Sequence, residues 1–256
     1  MTKSNYAGRS EGEGAQVASH YHGQMIELQL RHDFLVEDEE PGRFIKNFRG
    51  AVYVYISDTR KVKAGEFSIY VVDVESAYNE RESVFQIFDS ESALIGYYSL
   101  YEEDHAFKPE VMKAINDDSR WAPNILIFDR LEIYPKFRKQ GLGLRVLRWL
   151  LMQFGMGCGL VAMKPYPLQF ENGTPAENRS KDAFIKLNLG EFDANFKRAK
   201  KKLEAHYAKL GFQRVRGMEY MVADPLRVAP SVASLGADPD APVRPMPVRD
   251  PARSGV

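Results

Sequence analysis

Arg138-Lys139-Gln140-Gly141-Leu142-Gly143 is the stretch whose residue types and spacing could do chemistry. The apolar run ending in Leu131-Glu132-Ile133 stops at Pro135, and an amphipathic segment starts at the glycines. A strand that passes through a Gly-containing turn into a helix N-terminus builds an anion site. The first N–H groups of a helix have no internal partner, and its dipole favours negative charge there. Glycine lets the backbone approach a phosphate closely. Two familiar phosphate loops fail on spacing. A dinucleotide fingerprint needs a third small residue where Val146 stands, and G-x-x-x-x-G-K-[ST] occurs nowhere in the chain.

Other residues could move protons. Tyr207 lies in Glu204–Arg214, EAHYAKLGFQR, near the end of a helical pattern closed by Gly211. A phenol with a pKa near ~10 stays protonated at neutral pH and can donate to a leaving thiolate. Asp129 and Glu132 on the apolar strand are alternative general bases. Alternation lets at most one of them face a common site unless a bulge resets it. His206 adjoins Tyr207 in sequence but is read as a surface or packing residue. Cys158, the single cysteine, sits between glycines and reads as a small filler, so there is no evident nucleophile for a covalent intermediate.

The run L-x-[IV]-x-P followed by R-x-x-G-x-G resembles motif A of the GNAT acyltransferases, which bind acetyl-CoA. Tyr207, Leu210, Gly211 and Phe212 resemble that family's Y-x-x-L-G-F helix end, in the expected order after motif A. The resemblance spans about residues 121–222. It implies that the backbone of Lys139, Gln140, Gly141, Leu142, Gly143 and Leu144 holds the CoA pyrophosphate, with Arg138 at the leading motif position. It implies that Leu131 and Ile133 meet the pantetheine arm, that the Ile133 N–H polarises the thioester, and that Tyr207 protonates the departing thiolate. Direct attack by an amine in a ternary complex follows from the same likeness. The chain departs from the pattern at Lys200, where many members carry Asn. Lys197-Arg198 and Lys200-Lys201-Lys202 make a basic run that could hold CoA phosphates or an acidic substrate. The plainer reading is a solvated helix face.

These residues need elements to position them. Met25–Leu30, Ala51–Ile56 and Phe67–Asp73 read as strands. Leu94, Tyr97, Tyr98 and Tyr101 predict a helix over Ser90–Glu102, and Lys108–Ile115 a shorter one. Asn124–Ile133 is a nearly continuous apolar run, as in a strand buried on both faces. Gly143–Phe154 is a helix with Leu144, Leu147, Leu151 and Phe154 inward, and Leu160–Lys164 is a parallel strand reached by a βαβ crossover. Phe192–Leu210 is a second helix, and Phe212–Val222 the last strands. The expected fold class is α/β, an α+β mixed sheet, and the resemblance implies that it is of GNAT type with splayed central parallel strands. The family's bulge is expected near Arg130-Leu131.

Composition excludes several classes. Charge is balanced, with 35 basic and 35 acidic side chains, which gives no electrostatic case for nucleic acid. No apolar run suits a membrane span and no signal peptide is visible, so a cytoplasmic protein is expected. A homodimer is compatible with the composition. No metal site is expected. Residues 1–21 are polar and read as disordered, 22–223 as the acetyltransferase domain, and 224–256 as an unstructured tail holding seven of the fourteen prolines. The function expected is N-acetyl transfer from acetyl-CoA to an amine of a small molecule, peptide or protein. The alternative is a non-catalytic acyl-CoA-binding or interaction module on the same fold.

Overall fold

The computed structural model describes residues 25–32, 41–117, 122–171, 186–227, 229–236 and 243–247. The N-terminal segment, the acidic run Glu37–Glu40 and most of the polar insert after Glu171 lie outside them. The strands are β1 (Ile26–Arg31), β2 (Ile45–Ser57), β3 (Arg60–Val72), β4 (Ile125–Ile133), β5 (Leu160–Met163), β6 (Gln213–Arg214) and β7 (Met221–Ala223). They form one mixed sheet in the order β1-β2-β3-β4-β5-β7-β6. Among the described residues only β4 and β5 pair in parallel, so two antiparallel halves meet at one seam.

Helices cover both faces, as a mixed sheet buried on both sides requires. On one face lies α4 (Leu142–Phe154), packed on Val52, Phe67, Ile69, Leu126, Phe128, Val161 and Met163. Six of its side chains, Leu142, Leu144, Val146, Leu147, Leu150 and Leu151, are buried. At roughly 1.5–3 kcal/mol per large apolar side chain, this stripe fixes the helix on the sheet. On the other face lie α1 (Val74–Asn79), α2 (Val84–Asp89), the 3₁₀ turns of Ile95–Leu100 and α3 (Pro109–Ile115), over Tyr70, Val72, Ile125, Ile127, Leu160 and Ala162. The last helix is α5 (Phe196–Ala208).

The helix expected over Ser90–Glu102 is absent as such. Ser83 accepts a hydrogen bond from the Gln86 N–H and starts α2 earlier, and the Ser90 N–H closes it on the Gln86 carbonyl. The turns from Ile95 to Leu100 are 3₁₀, a geometry in which side chains eclipse every third residue. Leu94, Tyr97 and Leu100 are accordingly the buried set, while Tyr98 is half-buried and Tyr101 forms a bridge to Phe107.

The Pro-rich stretch also differs from expectation where it is described. Leu235 and Val243 are buried in the α4 layer. Arg148 Nε donates to the Pro230 carbonyl at 2.6 Å, and the Met246 N–H donates to the Lys136 carbonyl at 2.7 Å. Leu235 and Val243 are eight residues apart in a proline-rich segment with no apolar periodicity, so packing of this kind leaves little trace in the sequence.

Candidate functional site: an uncapped helix beside an open strand edge

The parallel seam is short. β4 pairs with β5 only from Ile125 to Phe128, against Leu160 to Met163. β4 then continues for five residues, held on its other side by β3. Pro165 and Pro167 come after β5 and lack the N–H groups that would extend its ladder. Among the described residues no strand pairs with the edge of β4 beyond Phe128 that β5 would cover, which leaves it available to a ligand.

The orientation of that edge is set by one hydrogen bond. The Tyr134 N–H donates to the Ala64 carbonyl, toward β3. In an antiparallel ladder alternate residues turn their N–H and C=O to the same neighbour. Leu131 and Ile133 thus direct theirs to the open side. The Ile133 carbonyl on that side accepts Arg138 Nε at 2.8 Å. The N–H and carbonyl of Leu131 and the N–H of Ile133 make a slot in which an extended amide chain could lie as a further strand.

A bulge sits at the start of this slot. Ser68 pairs with Arg130 and Ile69 with Phe128, so Asp129 is the extra residue. The bulge expected near Arg130-Leu131 is centred on Asp129, the residue before Arg130. It resets the alternation. Before it, Leu126 and Phe128 face the α4 layer; after it, Leu131 and Ile133 do. Asp129 and Glu132, an odd and an even position, consequently share the opposite face. There Asp129 interacts with Ser68, Tyr70 and Tyr97. Crowding of its carboxyl by the protein, although part of the residue stays open to solvent, pushes the Asp129 pKa above the usual aspartate range. Glu91 and Glu171 add to this, while Ser68 and Arg130 oppose it. Glu132 is engaged differently: it accepts from Arg130 Nε, and Arg130 also clasps Glu171 with both terminal nitrogens at 3.0 and 2.8 Å. The Arg130–Glu171 fork crosses from β4 to the segment after β5, over the place where the strands part.

At the far end of the slot stands the predicted loop. Pro135–Phe137 form a 3₁₀ turn, Lys139 has φ 62° and Gly141 φ 70°, and α4 begins at Leu142. The start of α4 is not capped by a side chain. Asp73, Ser83 and Asn195 each cap their own helix on α1, α2 and α5. α3, which starts with Pro109, also lacks a side-chain cap. Among the described residues no side chain caps the N–H groups of Leu142, Gly143 and Leu144, which leaves them as donors for an anion. Gly143 has helical backbone, and a Cβ there would lie 3.6 Å from both Ile133 Cγ1 and Leu131 Cδ2. The helix N-terminus therefore rests directly on the slot residues.

Arg138 completes this corner. Its Nη2 donates to the Leu187 carbonyl at 2.7 Å, and its guanidinium stacks 4.8 Å from the Phe192 ring centroid. Its Nη1 is buried without a hydrogen-bond partner. A buried guanidinium nitrogen left unpaired costs roughly 1–3 kcal/mol or more, and is the kind of donor a bound acceptor atom satisfies.

Tyr207 lies on α5 and packs, partly buried, against the α4 layer. Desolvation alone pushes its phenol up to about 12. It is thus on the face opposite Asp129 and Glu132, with the slot between the two faces. The His206 ring meets it edge-on at 5.7 Å. The basic run on α5 is largely solvated, and Arg198 and Lys202 both pair with Asp193. Lys200 is half-buried.

Sequence reasoning missed Arg130 as a site residue, since it lies in no motif. The bulge that turns Arg130 toward Glu171 depends on register with β3. A surface hollow of about 440 Å³ lined by Tyr78, Asn79, Arg81, Glu82 and His105 belongs to the α1–α2 side and contains none of the slot or loop residues. Among the described residues no group of three or more His, Cys, Asp or Glu could hold a metal ion, and no helix is long and apolar enough to cross a membrane. No family model, curated protein or solved structure matches the chain.

Proposed function

We propose that the chain is an acetyl-CoA-dependent N-acetyltransferase of the GNAT kind, acting on an amine. The observation that carries this reading is the junction of two unsatisfied backbone features: the open edge at Leu131–Ile133 and the uncapped start of α4. A ligand with an amide-bearing arm and a pyrophosphate fits both, which is the chemistry of coenzyme A. The acetyl thioester would supply the activated acyl group.

The chain's own residues would then divide the work. Leu131 and Ile133 would pair with the arm, and the amides of Lys139 to Leu144 would take the pyrophosphate. Acyl transfer needs a deprotonated amine, a polarised carbonyl and a proton for the leaving sulfur. Asp129 would accept the amine proton, directly or through water; its raised pKa suits a base at neutral pH better than an ordinary aspartate. Glu132 is the weaker base, being already held by Arg130. The Ile133 N–H would donate to the thioester oxygen. Tyr207 would hand its proton to the sulfur as the C–N bond forms and the C–S bond breaks.

Calorimetric titration with acetyl-CoA and with free CoA tests this. Micromolar binding that is lost in Gly143→Trp supports it. Failure of the wild-type chain to bind either compound removes it. Tight binding with no acyl transfer to any amine screened would leave the non-catalytic acyl-CoA-binding module as the reading.

A further inference from the structure

The loop between Pro135 and Gly141 is poorly supported from within. Its own backbone hydrogen bonds end with the Arg138 N–H on the Pro135 carbonyl at 3.3 Å, and the Gln140 side chain adds only a long 3.5 Å bond to the Lys136 carbonyl. Lys139 then adopts a left-handed backbone, which costs a residue with a side chain about 1–2 kcal/mol. Such a conformation persists only where its surroundings determine it. Beside it the Arg138 side chain holds the Ile133 and Leu187 carbonyls, and two further flanking contacts come from the C-terminal segment.

Gln140 Nε2 donates to the Arg244 carbonyl at 2.7 Å, and the Arg244 N–H donates back to Gln140 Oε1 at 2.9 Å. The carboxamide is thus clasped by both polar groups of one peptide residue, as a strand neighbour would be. Two residues on, the Met246 N–H donates to the Lys136 carbonyl. The bracketed span, Lys136 to Gln140, contains the strained Lys139. The bracing segment is itself anchored: Val243 is 2% exposed and Leu235 3%, both in the α4 layer, and Pro230 is held by Arg148 of α4.

We propose that residues 243–247 are a working part of the anion site, a strap that sets the loop backbone, and that Gln140 is a positioning residue through which the strap acts. The inference rests on the coenzyme-binding reading for its consequence, though not for its geometry. Arg244 contributes its peptide group, so its side chain is not required for the clasp. Removal of the carboxamide frees the loop, lets Lys139 relax, and turns the first N–H groups of α4 out of register with a phosphate.

The test compares the wild-type chain, Gln140→Ala, Arg244→Ala and a chain ending at Gly236. Amide hydrogen exchange at residues 139–144 is read without ligand, and affinity is read with CoA and with inorganic pyrophosphate. Expected are faster exchange across the loop and at least about tenfold weaker CoA binding for Gln140→Ala and for the shortened chain. Arg244→Ala should behave as wild type, and the thermal midpoint of Gln140→Ala should be unchanged. Unaltered loop exchange in Gln140→Ala overturns the strap even if the shortened chain fails to fold. Faster exchange with unchanged affinity overturns the positioning role. A wild-type chain that binds neither probe overturns the coenzyme reading instead, and the strap is then judged on exchange alone.

Discussion

Substitution at Gly143 separates stability from binding in a graded way. Gly143 is helical, so no backbone constraint demands glycine, and a Cβ there meets Ile133 and Leu131 at 3.6 Å, an ordinary contact. Gly143→Ala should therefore stabilise the chain. Removing glycine from a helix is worth about 0.5–1 kcal/mol, which in a domain of this size raises the thermal midpoint by roughly 1–4 °C. The new methyl points at the strand, away from the loop's N–H groups, so CoA affinity should hold. Gly143→Trp places an indole in the same 3.6 Å gap. The side chain must lever the start of α4 off β4, at about 1–3 kcal/mol for overpacking, and CoA affinity should fall at least about tenfold. Differential scanning calorimetry and isothermal titration on the two variants give both quantities. A loss of stability in Gly143→Ala would refute the packing geometry. Unchanged CoA affinity in Gly143→Trp would refute the assignment of the anion site to this helix.

Tyr207→Phe should lower turnover by about 10²–10⁴-fold with little change in CoA affinity, read by thiol release during turnover; full activity would sink its assignment as the acid. For Asp129, the raised folded-state pKa means that ionisation opposes folding: the penalty is absent below the ordinary aspartate pKa of 3.8 and grows as pH rises through the higher folded value. Asp129→Asn should thus be more stable than wild type at neutral pH, with the difference vanishing in acid, and it should lose the rise of rate with pH that a general base produces; urea titrations at several pH values and a pH–rate profile check both. Cys158 is 4% exposed, and burial pushes its thiol up to about 12, so it should resist a thiol-specific alkylating reagent at pH 8 in the native chain and react readily in denaturant.

The segment from β4 through α4 to β5 was legible because local signals agreed there: an unbroken apolar run, a glycine turn, a leucine stripe at helical spacing, then a second apolar run. Two short helices were missed although their cap signals stood in the sequence. Asp73 and Ser83 each precede a residue three positions on whose N–H they accept, and Ser83-x-x-Gln86 has the form of a capping box. The residue at which the bulge falls was not legible, because it depends on how Ser68 and Ile69 register against β4, some sixty residues away. That register places Asp129 and Glu132 on one face, which alternation along the strand alone denies. The strap was illegible because its contacts are made by peptide groups of Arg244 and Met246, which no side-chain pattern reports.

The four-pair parallel seam also bears on the order of assembly. A growing chain presents β1 to β4 before any of β5 exists, and the long β2–β3 hairpin, closed by a two-residue turn between Ser57 and Arg60, can zip from its own tip. When β5 emerges its available neighbour is β4, since β7 follows later in the chain, and α4 has no surface on which to bury its leucines until β4 is in place. The seam can thus be set only once β4 is in place, and its four pairs are the ladder that joins the two halves. In partial unfolding the same line is where the sheet divides into two cooperative units, one that can be made early and one that must wait for it.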